Sequence, residues 1–519
     1  MQSLRLSPHT ARQLFWTTFG LTLLLKGVIA ATFPMTGDEA FFYQWGVYPA
    51  WGYSDHPPMV GWLLAALRVL GDSPLVLRAF TVAVTSVIGL LIVDLLRRWL
   101  SDEHEASAWL AGAVYLAMPW SWMFVLVTTD TPLVFFMALS MWCYLRADQA
   151  RHGAWRWYAA AGALVGLAFL SKYFAALLGI AYAVHLLGWR RERAWAVPLM
   201  GLLALPSVLL NLAFNAWHGW PNILFNFYNR NEDSQWQLQT FGVYVGMALY
   251  LITPWLLWQA LKHHAPAGVP TSLRRTLLVL WLFPLLVFAL LGLRRTIGLH
   301  WVLGFVPLFV LWAGLHIPSR PLARSLAYTA LLSLPHLVVV GLIAWAPLSW
   351  WADHKLYPKA VFLRETPAIV AELQRDLPTG ATLMARTYSP AAALAYAHKA
   401  YVPVFGVGRH HARQDDQLVD FREYEGMPVR VFASAEPQAS DFAPFFERAQ
   451  ISRFEVAGVP YWKVDGFGFN FAAYRSQVLA EVVREFHQVP HWLPLWGSPF
   501  CERYGFAECS PGRESVPRP

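Results

Sequence analysis

The chain has 519 residues, of which 56% are hydrophobic and only 14% charged, with a formal net charge of +8. Soluble domains carry about a quarter charged residues. A mean hydropathy of +0.38 over this length exceeds what one soluble core can bury, so a purely water-facing fold is excluded and lipid is the expected cover. The basic residues stand in short bursts between apolar runs rather than on one face, which argues against a nucleic-acid-binding surface and fits membrane-protein loops.

The first apolar run, residues 14–33, follows Arg5 and Arg12 and lacks a small-x-small cleavage site, so it reads as a retained signal-anchor. In all, about eleven runs are long enough to span, near 14–34, 74–96, 107–127, 131–147, 155–170, 173–188, 195–215, 240–261, 276–293, 298–316 and 325–346. Many of the 27 tryptophans sit near the ends of these runs, where an amphipathic ring prefers the lipid–water interface.

Positive charge orients the spans. With a cytoplasmic N-terminus, the inside loops hold Arg97 and Arg98, Arg146, Arg151 and Arg156, Arg190, Arg191 and Arg193, Lys262, Arg274 and Arg275, and Arg320 and Arg324. The outside segments hold only Arg68, Lys172, Arg230, Arg294 and Arg295. The asymmetry is roughly threefold, and an odd span count then leaves the C-terminus outside. After Trp351 the composition turns polar. There, 366–377 and 391–398 read as helices, and 381–387, 401–405, 429–433 and 461–464 as strands. The predicted architecture is thus a polytopic α-helical membrane part, residues 1–351, followed by a small extracytoplasmic α/β domain, residues 352–519. Cys501 and Cys509 in that tail are spaced for a short disulfide loop if it faces an oxidising compartment, or are two separate thiols.

The outer side collects the chemistry-bearing residues. The first outside loop carries Asp38 and Glu39 in Thr36-Gly-Asp-Glu-Ala-Phe-Phe-Tyr, then Asp55 and His56 in Trp51-Gly-Tyr-Ser-Asp-His-Pro-Pro. One charge in a loop needs no explanation, but four ionisable groups among aromatics at a membrane boundary point to function. Asp130, in Thr128-Thr-Asp-Thr-Pro, sits between two tightly joined spans, as a functional carboxylate or as a helix cap. Lys172 in Leu170-Ser-Lys-Tyr-Phe, and the pair Arg294 and Arg295, break the charge trend. Either an anion holds them there, or they snorkel to headgroup phosphates. Cations suit a phosphate, and a carboxylate suits removal of a proton from an attacking hydroxyl. The sequence has no phosphate-binding Walker loop and no G-x-G-x-x-G fingerprint, so no nucleotide cofactor is expected.

Gly37-Asp-Glu-Ala-Phe-Phe-Tyr-Gln-Trp45 followed by Trp51-Gly-Tyr-Ser-Asp-His-Pro-Pro58 resembles the GT-C membrane glycosyltransferases, in particular the protein O-mannosyltransferase-like family and the bacterial lipid A aminoarabinose transferases. The resemblance continues through Thr129-Asp-Thr-Pro-Leu133 and Gly166-Leu-Ala-Phe-Leu-Ser-Lys-Tyr173 and covers most of the membrane part. It implies a GT-C fold and a polyprenyl-phosphate sugar donor. It also implies transfer with inversion to an acceptor on the periplasmic face of a bacterial inner membrane: lipid A or lipopolysaccharide, another envelope glycan, or a protein. By position, Asp38 would be the principal catalytic carboxylate, with Glu39 beside it and Asp130 as the second. Lys172, with Arg294 and Arg295, would hold the donor phosphate. Asp55 and His56 stand where aminoarabinose transferases carry Glu-Lys, which leaves His56 as a phosphate ligand when protonated, or Asp55 and His56 as ligands of a divalent metal. The competing class is a polytopic transporter or lipid flippase, which would concentrate ionisable groups at mid-membrane beside broken helices.

Overall fold

The structure, a computed structural model, describes residues 6–229, 236–408 and 413–509; Arg5 and Arg230 of the charge count lie outside the described residues. The chain divides into two compact units interleaved along the sequence. The first comprises Met1–Phe33, Leu70–Leu209 and Asp233–Ala344; the second comprises Pro34–Val69, Leu210–Glu232 and Trp345–Pro519.

The described part of the first unit is helical. Each of the eleven apolar runs coincides with a helix or a bent helix pair. Among the described residues, six single helices are long and apolar enough to cross a membrane: Pro8–Thr32, Pro74–Trp99, Ala196–Trp217, Thr271–Gly292, Leu299–His316 and Ser319–Trp345. Two bent pairs raise the number to eight if each is one span, Asp102–Leu116 with Pro119–Val125 at 56° and Leu238–Ile252 with Pro254–Lys262 at 73°. Both breaks fall at the residue before a proline, where the ring disfavours the α conformation. Met118 is extended, and Thr253 has a φ of 54°. The remaining runs form Asp130–Gln149, Ala154–Phe169 and Ala175–Trp189, the last two only 16 and 15 residues long against the ~20 of a perpendicular crossing. The protein is thus a multi-pass membrane protein.

Within this unit Leu299–His316 is the most enclosed of the long helices, whereas Ser319–Trp345 leaves Leu331, Leu334, Val338 and Val339 exposed, as a lipid-facing helix would. Small residues let helices approach: a Cβ on Gly162 would lie 2.5 Å from the backbone of Met200. Lys26, buried mid-helix, donates to Thr85 Oγ1 at 2.7 Å with its ammonium 5.5 Å from the Trp122 ring centre, which satisfies a charge that a membrane interior would otherwise penalise.

The second unit contains a four-stranded sheet of β1 (Thr382–Ala385), β2 (Val429–Ala433), β3 (Phe446–Val456) and β4 (Val459–Phe469). The order is β1-β2-β4-β3, with β1 and β2 parallel and the other two pairings antiparallel. Helices Tyr357–Gln374 and Tyr388–His398 pack Val361, Ile369, Leu373, Ala391 and Leu394 into one core with β1 and Tyr461. The 401–405 segment, expected as a strand, supplies only a bridge from Val404 to Ala385. Strand β3, which the sequence reading did not identify, has long exposed stretches and so lacks the buried alternation that marks a strand. It joins β4 through a two-residue turn in which Ala457 and Gly458 both have positive φ, 47° and 73°. Cys501 and Cys509 form a disulfide.

Candidate active site

The expected site residues fall into two groups, one in each unit. In the second unit, Thr36 starts the helix Gly37–Val47 with a full capping box. Thr36 Oγ1 accepts from the Glu39 amide at 3.3 Å, and Glu39 Oε2 accepts from the Thr36 amide at 3.2 Å. Glu39 is therefore turned inward and 98% buried, that is 2% exposed, while its neighbour Asp38 is exposed. Adjacent positions on a helix point about 100° apart, so capping by Glu39 presents Asp38 outward. Tyr388 Oη donates to Asp38 Oδ1 at 3.1 Å, which leaves the carboxylate room to accept another proton donor.

The other half of the loop is a compact aromatic turn. Tyr53 stacks on Trp45 with ring centres 4.3 Å apart, and its hydroxyl donates to the Trp45 carbonyl at 2.9 Å. Burial pushes the Tyr53 phenol up to about 12, which keeps it a neutral donor. Tyr53 also excludes any side chain at Gly61, where a Cβ would meet its hydroxyl at 2.0 Å. Asp55 and His56 follow, with Asp55 Oδ1 and His56 Nδ1 3.2 Å apart. Both atoms are buried, and neither makes a hydrogen bond.

This turn is held by residues that the sequence reading did not single out. Asn222 Nδ2 donates to the Tyr53 carbonyl at 2.5 Å, Asn226 Nδ2 to the Asp55 carbonyl at 3.3 Å, and the Ser54 amide to Gln414 Oε1 at 3.1 Å. Asn222 in turn sits among Asn215 and Asn211, all three 1% exposed or less. Asn211 and Asn215, four apart inside an apolar run, with Asn222 seven residues on, were the available signal. Behind Gln414, Arg413 donates to Asp416 Oδ1 at 2.7 Å, and His487 Nε2 lies 2.9 Å from Asp416 Oδ2. Burial opposes the ionised Asp416, yet Arg413 and His487 hold its carboxyl below the usual range. Next to it, burial pushes Asp415 up to about 6, against the pull of Arg413 and bonds from Tyr401 Oη and the Val404 amide.

In the first unit, Asp130 opens the helix Asp130–Gln149, and its carboxylate takes both hydrogen bonds from Lys172 Nζ, at 2.9 and 3.1 Å. The anion that Lys172 called for is thus Asp130, and no side-chain cap bond forms at this helix start. Lys172 also lies 5.8 Å from the Phe174 ring, Phe174 packs on Trp301 with centres 4.5 Å apart, and Arg295 lies 5.5 Å over Trp301. An aromatic seam therefore joins Lys172 to Arg295, two cations more than a hundred positions apart in sequence. Arg294 points elsewhere, 4.7 Å over Trp236. Among the described residues, no group of three or more His, Cys, Asp or Glu is placed to hold a metal ion.

The fold is similar to that of two solved proteins. ArnT from Cupriavidus metallidurans, solved in the apo state and bound to undecaprenyl phosphate, superposes with a TM-score of 0.57 over 86% of this chain and 97% of that one, at 14% identity. The arabinofuranosyltransferase AftD from Mycobacteria gives a TM-score of 0.51 over 90% of this chain and 40% of its own, at 15% identity. In sequence, residues 55–217 match the family described as dolichyl-phosphate-mannose-protein mannosyltransferase. A lipid A galacturonosyltransferase, RgtD of Rhizobium johnstonii, is 29% identical over 184 residues. That match spans 34% of this chain and 38% of the relative.

Proposed function

We propose that the protein is an integral-membrane glycosyltransferase that moves a sugar from a polyprenyl-phosphate donor to an acceptor hydroxyl of lipid A or another envelope glycan. The observation that carries this reading is Asp38, an exposed carboxylate set outward by the capping box and flanked by a tyrosine hydroxyl. Two likenesses support the substrates: a relative named for lipid A galacturonosyl transfer, and a solved fold neighbour bound to undecaprenyl phosphate. The reaction faces the periplasm of a bacterial inner membrane, with the N-terminus cytoplasmic and residues 352–519 forming a domain on the outer side.

In the proposed step, the acceptor oxygen forms a bond to the anomeric carbon as its proton passes to Asp38. The bond from that carbon to the donor phosphate oxygen breaks, and its electron pair leaves with the lipid phosphate, inverting the centre. Glu39 fixes the helix start that presents Asp38. Lys172 and Arg295, along their aromatic seam, receive the phosphate charge, and Asp130 orients Lys172. Asp55 Oδ1 and His56 Nδ1, buried, 3.2 Å apart and without hydrogen bonds, would be two ligands of a divalent cation, which would supply positive charge. A complete metal shell needs a donor beyond these two.

Mass spectrometry of lipid A and envelope glycans from wild-type cells, deletion cells and cells carrying Asp38→Asn tests this. The expected result is a sugar-bearing species lost on deletion, restored by the wild-type chain and not by the variant, with transfer down about 10²–10⁴-fold. Normal transfer by a folded Asp38→Asn protein would refute the assignment of Asp38. The match to a protein mannosyltransferase family favours a second reading, protein O-glycosylation, which predicts that the lost species is a glycoprotein.

A further inference from the structure

The helices Gly37–Val47 and Tyr388–His398, both in the second unit, pack side by side. Each turns one face to the other at helical spacing. Gly37, Phe41 and Gln44 stand four and three residues apart, and Tyr388, Ala391 with Ala392, and Ala395 repeat in the same way. The alanines let the backbones approach. At the N-terminal ends only glycine fits, because a Cβ on Gly37 would lie 2.0 Å from Ser389 Oγ and 3.1 Å from Ser389 Cβ. Rings close the rest of the seam. Phe41 meets Tyr388 edge-on with centres 5.6 Å apart, Tyr43 meets Tyr396 at 5.0 Å, and just past the helix ends Tyr48 meets Tyr401 at 5.8 Å. The pairs ascend together along both segments, so the helices run parallel and their N-termini meet at Asp38.

The capping box sets the backbone at Asp38, but not the two torsions of its side chain. An exposed carboxylate with only that support would spread over several rotamers. The Tyr388 hydroxyl removes this freedom. It donates to Oδ1 at 3.1 Å, while Oδ2 takes no bond among the described residues. A bond to a charged oxygen is stronger than one between neutral groups. The phenol that makes it is a stiff arm, because its ring rests against the buried Phe41. The helix Tyr388–His398 is itself anchored, since Leu394 packs into one core with Leu373 and with Leu383 of β1. The backbone of the helix start is thus set locally, and its carboxylate is held from 350 positions away.

We propose that Tyr388 is the positioning residue for Asp38, and that residues 352–519 complete the active site through it. The inference rests on the glycosyltransferase reading, which makes Asp38 the base for the acceptor hydroxyl. Held at Oδ1 by the phenol, the carboxylate keeps Oδ2 for that hydroxyl in one orientation. An arriving acceptor then meets a base already aimed, instead of one that must be fixed at the moment of reaction.

The test uses the full chain in nanodiscs, with envelope extract from deletion cells as acceptor and lipid extract from wild-type cells as donor source. Tyr388→Phe keeps the ring on Phe41 and removes the hydroxyl. The maximal transfer rate should fall about tenfold, with the half-saturating amount of acceptor extract and the unfolding temperature unchanged. Carbodiimide labelling of Asp38, read by peptide mass spectrometry, should rise a few-fold. Labelling of the buried Glu39 and amide exchange over residues 37–47 should stay as they were. Gly37→Ala should lower transfer and raise Asp38 labelling in the same way, because its Cβ wedges the helices apart. Adding Ser389→Gly should reverse both effects, since it removes the two side-chain atoms in the way. Wild-type rates in Tyr388→Phe, a loss that only follows the unfolding temperature, or unchanged Asp38 labelling overturns the proposal. A wild-type protein that transfers no sugar overturns the glycosyltransferase reading instead, and labelling that rises in Tyr388→Phe still upholds the hold of Tyr388 on Asp38.

Discussion

The two ends of the first outer loop are held in opposite ways. The Asp38 end is fixed by its own sequence, since Thr36 and Glu39 cap each other across three residues. The Asp55–His56 end is fixed from far away, by Asn222, Asn226 and Gln414, which lie 169 to 360 positions along the chain. One end is a local motif that any helix start can carry; the other exists only once the second unit has assembled. A carboxylate that exchanges a proton, as proposed for Asp38, gains from a simple, exposed mount. Two buried polar atoms without hydrogen bonds, Asp55 Oδ1 and His56 Nδ1, need a scaffold that holds them in place.

That contrast is broken most severely at Arg413. Removing its guanidinium in Arg413→Ala leaves Asp416 buried against His487 alone and strips the segment that carries Gln414. The expected loss is about 3–5 kcal/mol, read as a large fall in the unfolding temperature of the purified protein. Amide exchange should rise at residues 53–56 and not at 37–40; equal exchange at both ends would show that the two are not independently held. Asn222→Ala is the gentler cut. It leaves the Tyr53 carbonyl without its donor, at a cost of about 1–3 kcal/mol, and should loosen the same turn while Asp38 keeps its bond from Tyr388.

The same contrast explains what the sequence made readable. The long helices follow from uninterrupted apolar runs, and even the two bends are announced by Pro119 and Pro254. Asp38, Glu39 and Lys172 were legible because they are charges in places where charge is costly. The Asn211–Asn215–Asn222 cluster was marked only by its spacing, because neutral amides carry no charge anomaly, and Asn222 finds its partner on the backbone of a distant loop. Tyr388 was hidden for a related reason. A tyrosine in a helix reads as packing, and only the fold shows that its hydroxyl meets a carboxylate. The seam from Lys172 through Phe174 and Trp301 to Arg295 likewise needed three helices to be placed together.

The local end is sharpened by Thr36→Ala. It removes one capping bond and frees the Glu39 carboxylate from its hydroxyl partner, for a cost of about 1 kcal/mol. The variant should lose activity beyond what that small destabilisation explains, because Asp38 loses its fixed direction. Activity falling only in step with stability would show that the capping box serves the helix alone.

The smallest effect belongs to pH and again separates the two ends. Asp415, beside Gln414, is raised to about 6 by burial, which outweighs Arg413 and the bonds from Tyr401 and Val404. Between its ordinary value of 3.8 and about 6, the folded protein binds this proton more tightly than the unfolded chain does. Stability from this group therefore falls as pH rises through that window and is regained on acidification from 7 toward 5. Asp416, held below the usual range by Arg413 and His487 despite its burial, contributes the opposite slope, but only at pH values under its ordinary one. The wild-type unfolding temperature should thus climb on mild acidification, and Asp415→Asn should flatten that climb while leaving the steeper acid loss in place. An unchanged slope in Asp415→Asn would assign the proton to another group. The turn at residues 53–56 would then be anchored without any titrating support.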